Sequence, residues 1–234
     1  MSTVPAAAGV ALALLLSAAP PDARAGTADW AGKVSRAAVI VEAATRRETR
    51  SGTGFFLERP GLVATALHTV EGARSIRVHI PGVYAASEAR LLAASSTWDL
   101  AILEATWPAG VPYPGLALDT ARALPPGTEV AVTGFGLLDG EASRTPLTIR
   151  GIVSGASEHG GGVSYVLDLQ ARRGLSGSPV YRTDTGAVAG LLTRVHAAEQ
   201  GWGPGGAASA AAIAELLSGI GLPRDPPASS AALP

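Results

Sequence analysis

Short apolar or alternating segments recur along the chain between clusters of Gly, Pro and Ser, at 38–41, 54–57, 62–67, 76–80, 99–103, 129–133, 147–153, 163–169 and 187–193. In 76–80 the apolar residues Ile76, Val78 and Ile80 alternate with Arg77 and His79, the two-residue period of a strand with one buried face. Many short segments bounded by turn residues predict an all-β protein, either a sandwich or a pair of barrels, with no long helix interrupting them. The exception is 210–220, where Ile213, Leu216, Leu217 and Ile220 share one side of a helix and Gly221 follows as a stop. That helix is expected to pack on a barrel. The Pro/Ala/Ser-rich stretch 223–234 has too little apolar content to fold and predicts a loose tail. The Pro-rich stretch 107–114 and the turn Leu124-Pro125-Pro126-Gly127 mark the region, 107–127, where a first barrel is expected to hand over to a second.

Composition narrows the function more than the fold. The 234 residues are enough for one large domain or two small barrels, and 47% apolar with 16% charged residues describes a folded, turn-rich chain. Eighteen basic residues against nineteen acidic ones leave a net charge of −1, with no Lys/Arg run to track phosphates, and the few aromatics are scattered. Nucleic acid is therefore not an expected partner. The absence of cysteine removes disulfides, thiolate catalysis and Cys-based zinc sites.

The apolar run 6–19, ended by Pro20-Pro21 and followed by the small-x-small site Ala23-Arg24-Ala25, predicts an export signal (1–25) cut after Ala25. The run is shorter than the roughly 20 residues a membrane span needs. A secreted or periplasmic chain folding over 26–222, with no stable membrane span after processing, is the expectation.

Candidate chemistry starts at Gly174-Leu175-Ser176-Gly177-Ser178-Pro179. A serine between glycines is usually only a turn. The same glycines also permit a tight bend that exposes the hydroxyl and aims neighbouring N–H groups into one space. A serine hydroxyl needs a base to become a nucleophile. Of four histidines, His68 stands where the buried segment 62–67 runs into a turn, whereas His79 lies on the outward face of its strand and His159 and His196 lie in or near loops. Neither of the last two has a partner at metal-ligand spacing, so no metal cofactor is expected. Asp99, preceded by Trp98, opens the apolar run Asp99-Leu100-Ala101-Ile102-Leu103. A carboxylate pressed against such a strand is costly without a hydrogen-bonded partner, although a surface strand cap would explain it equally well alone.

Taken together, Thr65-Ala66-Leu67-His68-Thr69-Val70, Asp99-Leu100-Ala101-Ile102-Leu103 and Gly174-Leu175-Ser176-Gly177-Ser178-Pro179 resemble the His, Asp and Ser motifs of the trypsin-like serine peptidases, in the same order. The likeness is greatest to the disulfide-free HtrA/DegP and glutamyl-endopeptidase branches, here without a PDZ module. Ser51-Gly52-Thr53-Gly54-Phe55, Gly151-Ile152-Val153-Ser154 and Asp168-Leu169-Gln170 resemble supporting segments of that family, so the likeness runs over about 37–221. The resemblance implies two six-stranded antiparallel β-barrels of the chymotrypsin-like kind with a short C-terminal helix. It implies a serine endopeptidase acting on proteins or peptides, with His68, Asp99 and Ser176 as catalytic triad and the N–H groups of Gly174 and Ser176 as oxyanion hole. The substrate pocket is implied near Gln170, Leu192, Thr193 and Arg194.

Departures from the family qualify this picture. Leu175 replaces the acid of the digestive branch, so activation through a salt bridge to a new N-terminus has no anchor. Arg172-Arg173 stand where HtrA relatives tend to carry Asn-Pro. No acid occupies Gln170 and no histidine Leu192, which disfavours Lys/Arg or Glu before the scissile bond and points to a small or medium apolar residue, with Arg194 free to recruit an acidic group. A monomer is expected. The altered nucleophile loop keeps open a second reading, an inactive or conditionally active protease-like scaffold that binds protein ligands. An esterase is disfavoured, because its usual chain order is Ser, acid, His.

Overall fold

The computed structural model describes residues 27–82, 86–107, 114–121, 123–138, 141–195 and 202–220. The expected export signal and C-terminal tail lie outside them. Helix α1 (Thr27–Ala37) leads into β1 (Ala38–Ala44), β2 (Thr49–Phe56) and β3 (Leu62–Ala66), then the one-turn helix α2 (Leu67–Val70), β4 (Ser75–His79), β5 (Ser87–Ser95) and β6 (Leu100–Ala105). These six strands close into an antiparallel barrel in the order β1-β2-β3-β6-β5-β4. After the connection come β7 (Glu129–Gly134), the small hairpin β8 (Leu137–Leu138) and β9 (Glu141–Ala142), β10 (Leu147–His159), β11 (Gly162–Arg172), β12 (Pro179–Arg182), β13 (Val188–Val195), β14 (Trp202–Ser209) and helix α3 (Ala210–Ser218). The second antiparallel barrel closes in the order β10-β11-β14-β13-β12-β7.

Three apolar layers explain the sequence pattern. Val39, Val41, Phe56, Val63 and Leu103 fill the first barrel, and Val130, Val132, Leu167, Leu175 and Leu192 fill the second. Between them Phe55, Leu100, Ile102, Tyr181, Leu191 and Ile213 form a shared layer. β3 and β6 therefore face apolar surroundings on both sides, one side turned to the barrel interior and the other to the second barrel. That is why 62–67 and 100–103 read as continuous apolar runs where a half-exposed strand would alternate.

Helix α3 covers the shared layer. Its N-cap Ser209 accepts a hydrogen bond from the Ala212 N–H at 3.4 Å and a second from the Val163 N–H at 3.0 Å, Ile213 is buried, and Leu216 and Leu217 pack against the layer. Helix α1 was not indicated by the sequence pattern. It sits on the same layer through Val34 and through Trp30, whose ring meets Tyr181 edge-on at 5.1 Å. The Tyr181 hydroxyl hydrogen-bonds Thr133 Oγ1 at 2.7 Å, and burial pushes its pKa up.

Candidate active site

β3 emerges from the first barrel directly into α2, which places His68 at the rim. Asp99 reaches the same rim from the turn before β6, and three hydrogen bonds join the two elements. The Leu67 N–H donates to the Asp99 carbonyl at 3.0 Å, the His68 N–H donates to Asp99 Oδ1 at 2.9 Å, and His68 Nδ1 lies 2.7 Å from Asp99 Oδ2. A carboxylate only accepts, so this contact holds the proton on Nδ1 and leaves Nε2 with a free lone pair. Asp99 adopts φ 53, the only left-handed non-glycine among the described residues. Aspartate tolerates that region better than most residues, and the bonds to Leu67 and His68 hold it there. Beneath the turn Trp98 is buried, its ring stacked at 4.4 Å on His159 at the tip of the β10–β11 hairpin.

Ser176 comes from the opposite barrel, in the loop between β11 and β12. The loop's shape depends on two left-handed glycines, Gly174 at φ 87 and Gly177 at φ 90. A methyl group on Gly177 would sit 1.8 Å from the Thr53 carbonyl oxygen, and one on Gly174 2.6 Å from that of Phe135. Thr53, on β2 of the first barrel, binds this loop. Its N–H donates to the Ser176 carbonyl at 2.8 Å, its hydroxyl donates to the Gly174 carbonyl at 2.9 Å and accepts from the Phe135 N–H at 2.9 Å, and its own carbonyl accepts from Thr65 Oγ1 at 2.7 Å. From the second barrel, the Gly177 N–H donates to the Leu192 carbonyl at 2.7 Å. The N–H groups of Gly174 and Ser176 have no protein acceptor among the described residues.

His68, Asp99, Gly174 and Ser176 line one cleft between the barrels, together with Thr193, Arg194, Arg173 and Arg50. Of the residues expected around the substrate, Thr193 and Arg194 are at this cleft. Leu192 is fully buried inside the second barrel, and Gln170 is exposed on a separate hollow with Thr148, Arg150 and Asp168. A register shift between Leu192 and Arg194 in the pairing of β13 with β14 makes Thr193 an extra residue, which turns β13 toward the cleft just past Leu192. Gln170 follows the ordinary alternation of β11, outward between buried Leu169 and Ala171.

The other histidines have separate partners. His79 Nε2 lies 2.8 Å from Glu42 Oε2 on the wall of the first barrel, His159 stacks on Trp98, and His196 lies outside the described residues. Leu175 is fully buried in the second barrel's core. Among the described residues no group of His, Asp and Glu could hold a metal ion, and no helix is long and apolar enough to cross a membrane. Sequence reasoning did not single out Thr53 or Arg50. The glycines flanking Thr53 were its signal, because a methyl group on Gly52 would sit 2.8 Å from Thr69 Oγ1 and 3.1 Å from the Ser176 carbonyl oxygen.

Comparison with known proteins agrees with this architecture. The model of the trypsin-like peptidase domain matches residues 52–191. Among solved structures, the HtrA-type protease AlgW with tripeptide superposes with a TM-score of 0.70 at 19% identity, over 83% of this chain and 63% of that one. The chain thus spans less than two thirds of AlgW's length. The serine endoprotease from Yersinia pestis gives 0.68 at 21% identity, over 87% of this chain and 68% of that one. An inactive form of Rv3671c from M. tuberculosis H37Rv gives 0.65 at 21% identity, over 89% of this chain and 98% of that one. At these identities the likeness establishes the fold. No curated protein matches the sequence.

Proposed function

The chain belongs to the trypsin-like peptidase family, and from that premise we propose that it is an exported serine endopeptidase that cleaves protein substrates with His68, Asp99 and Ser176. The observation that carries this reading is the two-point hold of Asp99 on His68, at 2.9 Å to its N–H and 2.7 Å to Nδ1, on the cleft that Ser176 also lines.

In this reading His68 Nε2 takes the proton of the Ser176 hydroxyl as Oγ attacks the substrate carbonyl. Asp99 keeps the imidazole in the tautomer that can accept that proton and balances the imidazolium that forms. The developing oxyanion is received by the N–H groups of Gly174 and Ser176, an interaction of the kind whose loss costs about 10²–10³ in rate. His68 then returns the proton to the departing amine, and water attacks the acyl-enzyme by the reverse route. The described side chains that carry these steps need no metal or nucleotide.

The test is labelling of the purified protein with a fluorophosphonate probe, comparing wild type with Ser176→Ala and His68→Ala. Stoichiometric labelling abolished by both substitutions is expected. A folded wild-type protein that stays unlabelled across pH, also with unfolded protein added as an activator, would replace the peptidase with a ligand-binding scaffold.

A further inference from the structure

Two sets of arginines in this chain contrast in their surroundings. Arg77, Arg90, Arg150 and Arg182 each pair with a carboxylate, at 3.4, 2.5, 3.0 and 2.5 Å, on the barrel walls. Arg46, Arg47, Arg74, Arg173 and Arg194 are exposed and have no ion-pair partner among the described residues. All five border the candidate site, whereas Arg36 and Arg144, also exposed and without an ion-pair partner among the described residues, lie away from it. Arg173 and Arg194 line the cleft itself, and Arg46, Arg47 and Arg74 line a neighbouring hollow formed by the β1–β2 turn and the turn after α2. Arg50 lines both, and so joins them. The net charge of the chain is −1, so this excess of positive charge comes from placement and not from composition.

Arg50 shows which half of a substrate would meet the hollow. Its guanidinium donates from Nη1 to the His68 carbonyl and from Nη2 to the Glu71 carbonyl, so the arginine-lined hollow lies on the His68 side of the cleft. His68 is the group that protonates the departing amine, and that amine belongs to the residue after the scissile bond. The substrate strand that leaves therefore passes the element carrying His68, and an extended chain advances about 3.3 Å per residue. Within its first few residues it reaches the hollow. Two acids, Glu48 and Glu71, also line this space; Arg50 pairs with the first, its Nε 3.6 Å from Glu48 Oε1, and the Glu71 carboxylate offsets only one of the three other arginine charges. Arg46, Arg47 and Arg74 remain for a ligand. A guanidinium fork matches a carboxylate in two parallel hydrogen bonds, which a lysine ammonium does not.

We propose that this hollow is a binding site for acidic side chains on the C-terminal side of the scissile bond, so that the preferred substrate carries Asp or Glu in the first few residues after the cut. The proposal rests on the peptidase reading above for its direction, and on the unpaired arginines for its chemistry.

The test uses internally quenched peptides that are identical before the cleaved bond and carry either Asp/Glu or Asn/Gln after it. With the wild-type protein at low salt the acidic peptide should show kcat/KM on the order of tenfold higher, the effect of two or three exposed charge pairs. The preference should shrink as NaCl shortens the screening length from about 10 Å at 0.1 M to about 3 Å at 1 M. It should disappear in the triple variant Arg46→Gln, Arg47→Gln, Arg74→Gln, whose fluorophosphonate labelling rate stays at the wild-type value because none of the three touches the reacting atoms. Equal kcat/KM for both peptides in a protein that labels normally would overturn the acidic site and leave the peptidase intact. Binding is read separately with the Ser176→Ala protein, by fluorescence anisotropy of the same two peptides. Tighter binding of the acidic peptide, lost in the added triple variant, supports the site even if no turnover is found, and equal binding overturns it.

Discussion

The two halves of the cleft are held in different ways. On the first barrel's side, His68 and Asp99 are fixed to each other by three hydrogen bonds that start and end within that barrel. On the second barrel's side, the Ser176 loop is held in its own barrel by the Gly177 N–H bond to Leu192 and, in addition, from the other barrel through the N–H and hydroxyl of Thr53. The proposed base and its orienting acid thus form a self-contained unit, while the loop of the proposed nucleophile depends in part on the docking of the barrels. Disturbing the inter-barrel layer should therefore displace Ser176 before it displaces His68.

The strongest way to expose this difference is Gly177→Ala. The added methyl would have to occupy a point 1.8 Å from the Thr53 carbonyl oxygen at a φ of 90, so the loop must move away from β2. Displacing the serine and its proposed oxyanion donors together should lower the fluorophosphonate labelling rate by at least ~100-fold. The His68–Asp99 pair should survive, visible as a persistent low-field imidazole N–H proton resonance. Loss of that resonance in a folded variant would mean that the two halves are not independent.

A smaller and cleaner perturbation is Thr53→Val. It keeps the shape of the side chain and the backbone bond to Ser176 but removes the hydroxyl that joins the Gly174 carbonyl to the Phe135 N–H. Two largely buried polar groups then lose their partner, which should destabilise the fold by about 1–3 kcal/mol in chemical denaturation. Labelling should fall about 10- to 100-fold, since Gly174 carries one of the two proposed oxyanion donors. Thr53→Ser, which restores the hydroxyl, should recover most of the rate. Failure of serine to rescue would show that the methyl group, and not the hydrogen bonds, positions the loop.

The same division separates what was legible in the sequence from what was not. His68 and Asp99 stand at the ends of continuous apolar runs, because β3 and β6 are covered on both faces, and that local pattern marks them. The Ser176 loop was marked by its glycines, and the barrels by their short, punctuated strands. Thr53 had only the weaker signal of its flanking glycines. Its role arises from contact with residues more than a hundred positions away, such as Gly174, and no local periodicity reports it. β14 was missed because Gly203, Pro204, Gly205 and Gly206 carry no apolar alternation. The strand is small because its neighbours are close, with a methyl group on Gly205 falling 2.8 Å from Leu192 Cδ1. β5 was missed for the opposite reason, since residues on both of its faces are at least partly exposed and Leu91 is 43% accessible. Gln170 and Leu192 were placed at the substrate by analogy alone, and strand alternation takes both of their side chains elsewhere.

One contact runs against the division and gives the smallest expected effect. Trp98, immediately before Asp99, is stacked by His159 of the second barrel, and a methyl group on Gly162 of the same hairpin would fall 2.8 Å from its ring. If the hydrogen bonds to Leu67 and His68 are sufficient to fix Asp99, His159→Ala removes only a stacking contact at an exposed edge. That should lower stability by about 0.5–1.5 kcal/mol. It should change the labelling rate by less than about threefold, well under 1.4 kcal/mol of transition-state free energy. The buried indole stays wedged against the Gly162 backbone and Ala212 of α3, so the turn before Asp99 keeps its floor. A drop of tenfold or more with little loss of stability would place the orientation of Asp99 under the control of the second barrel. Both halves of the cleft would then depend on docking.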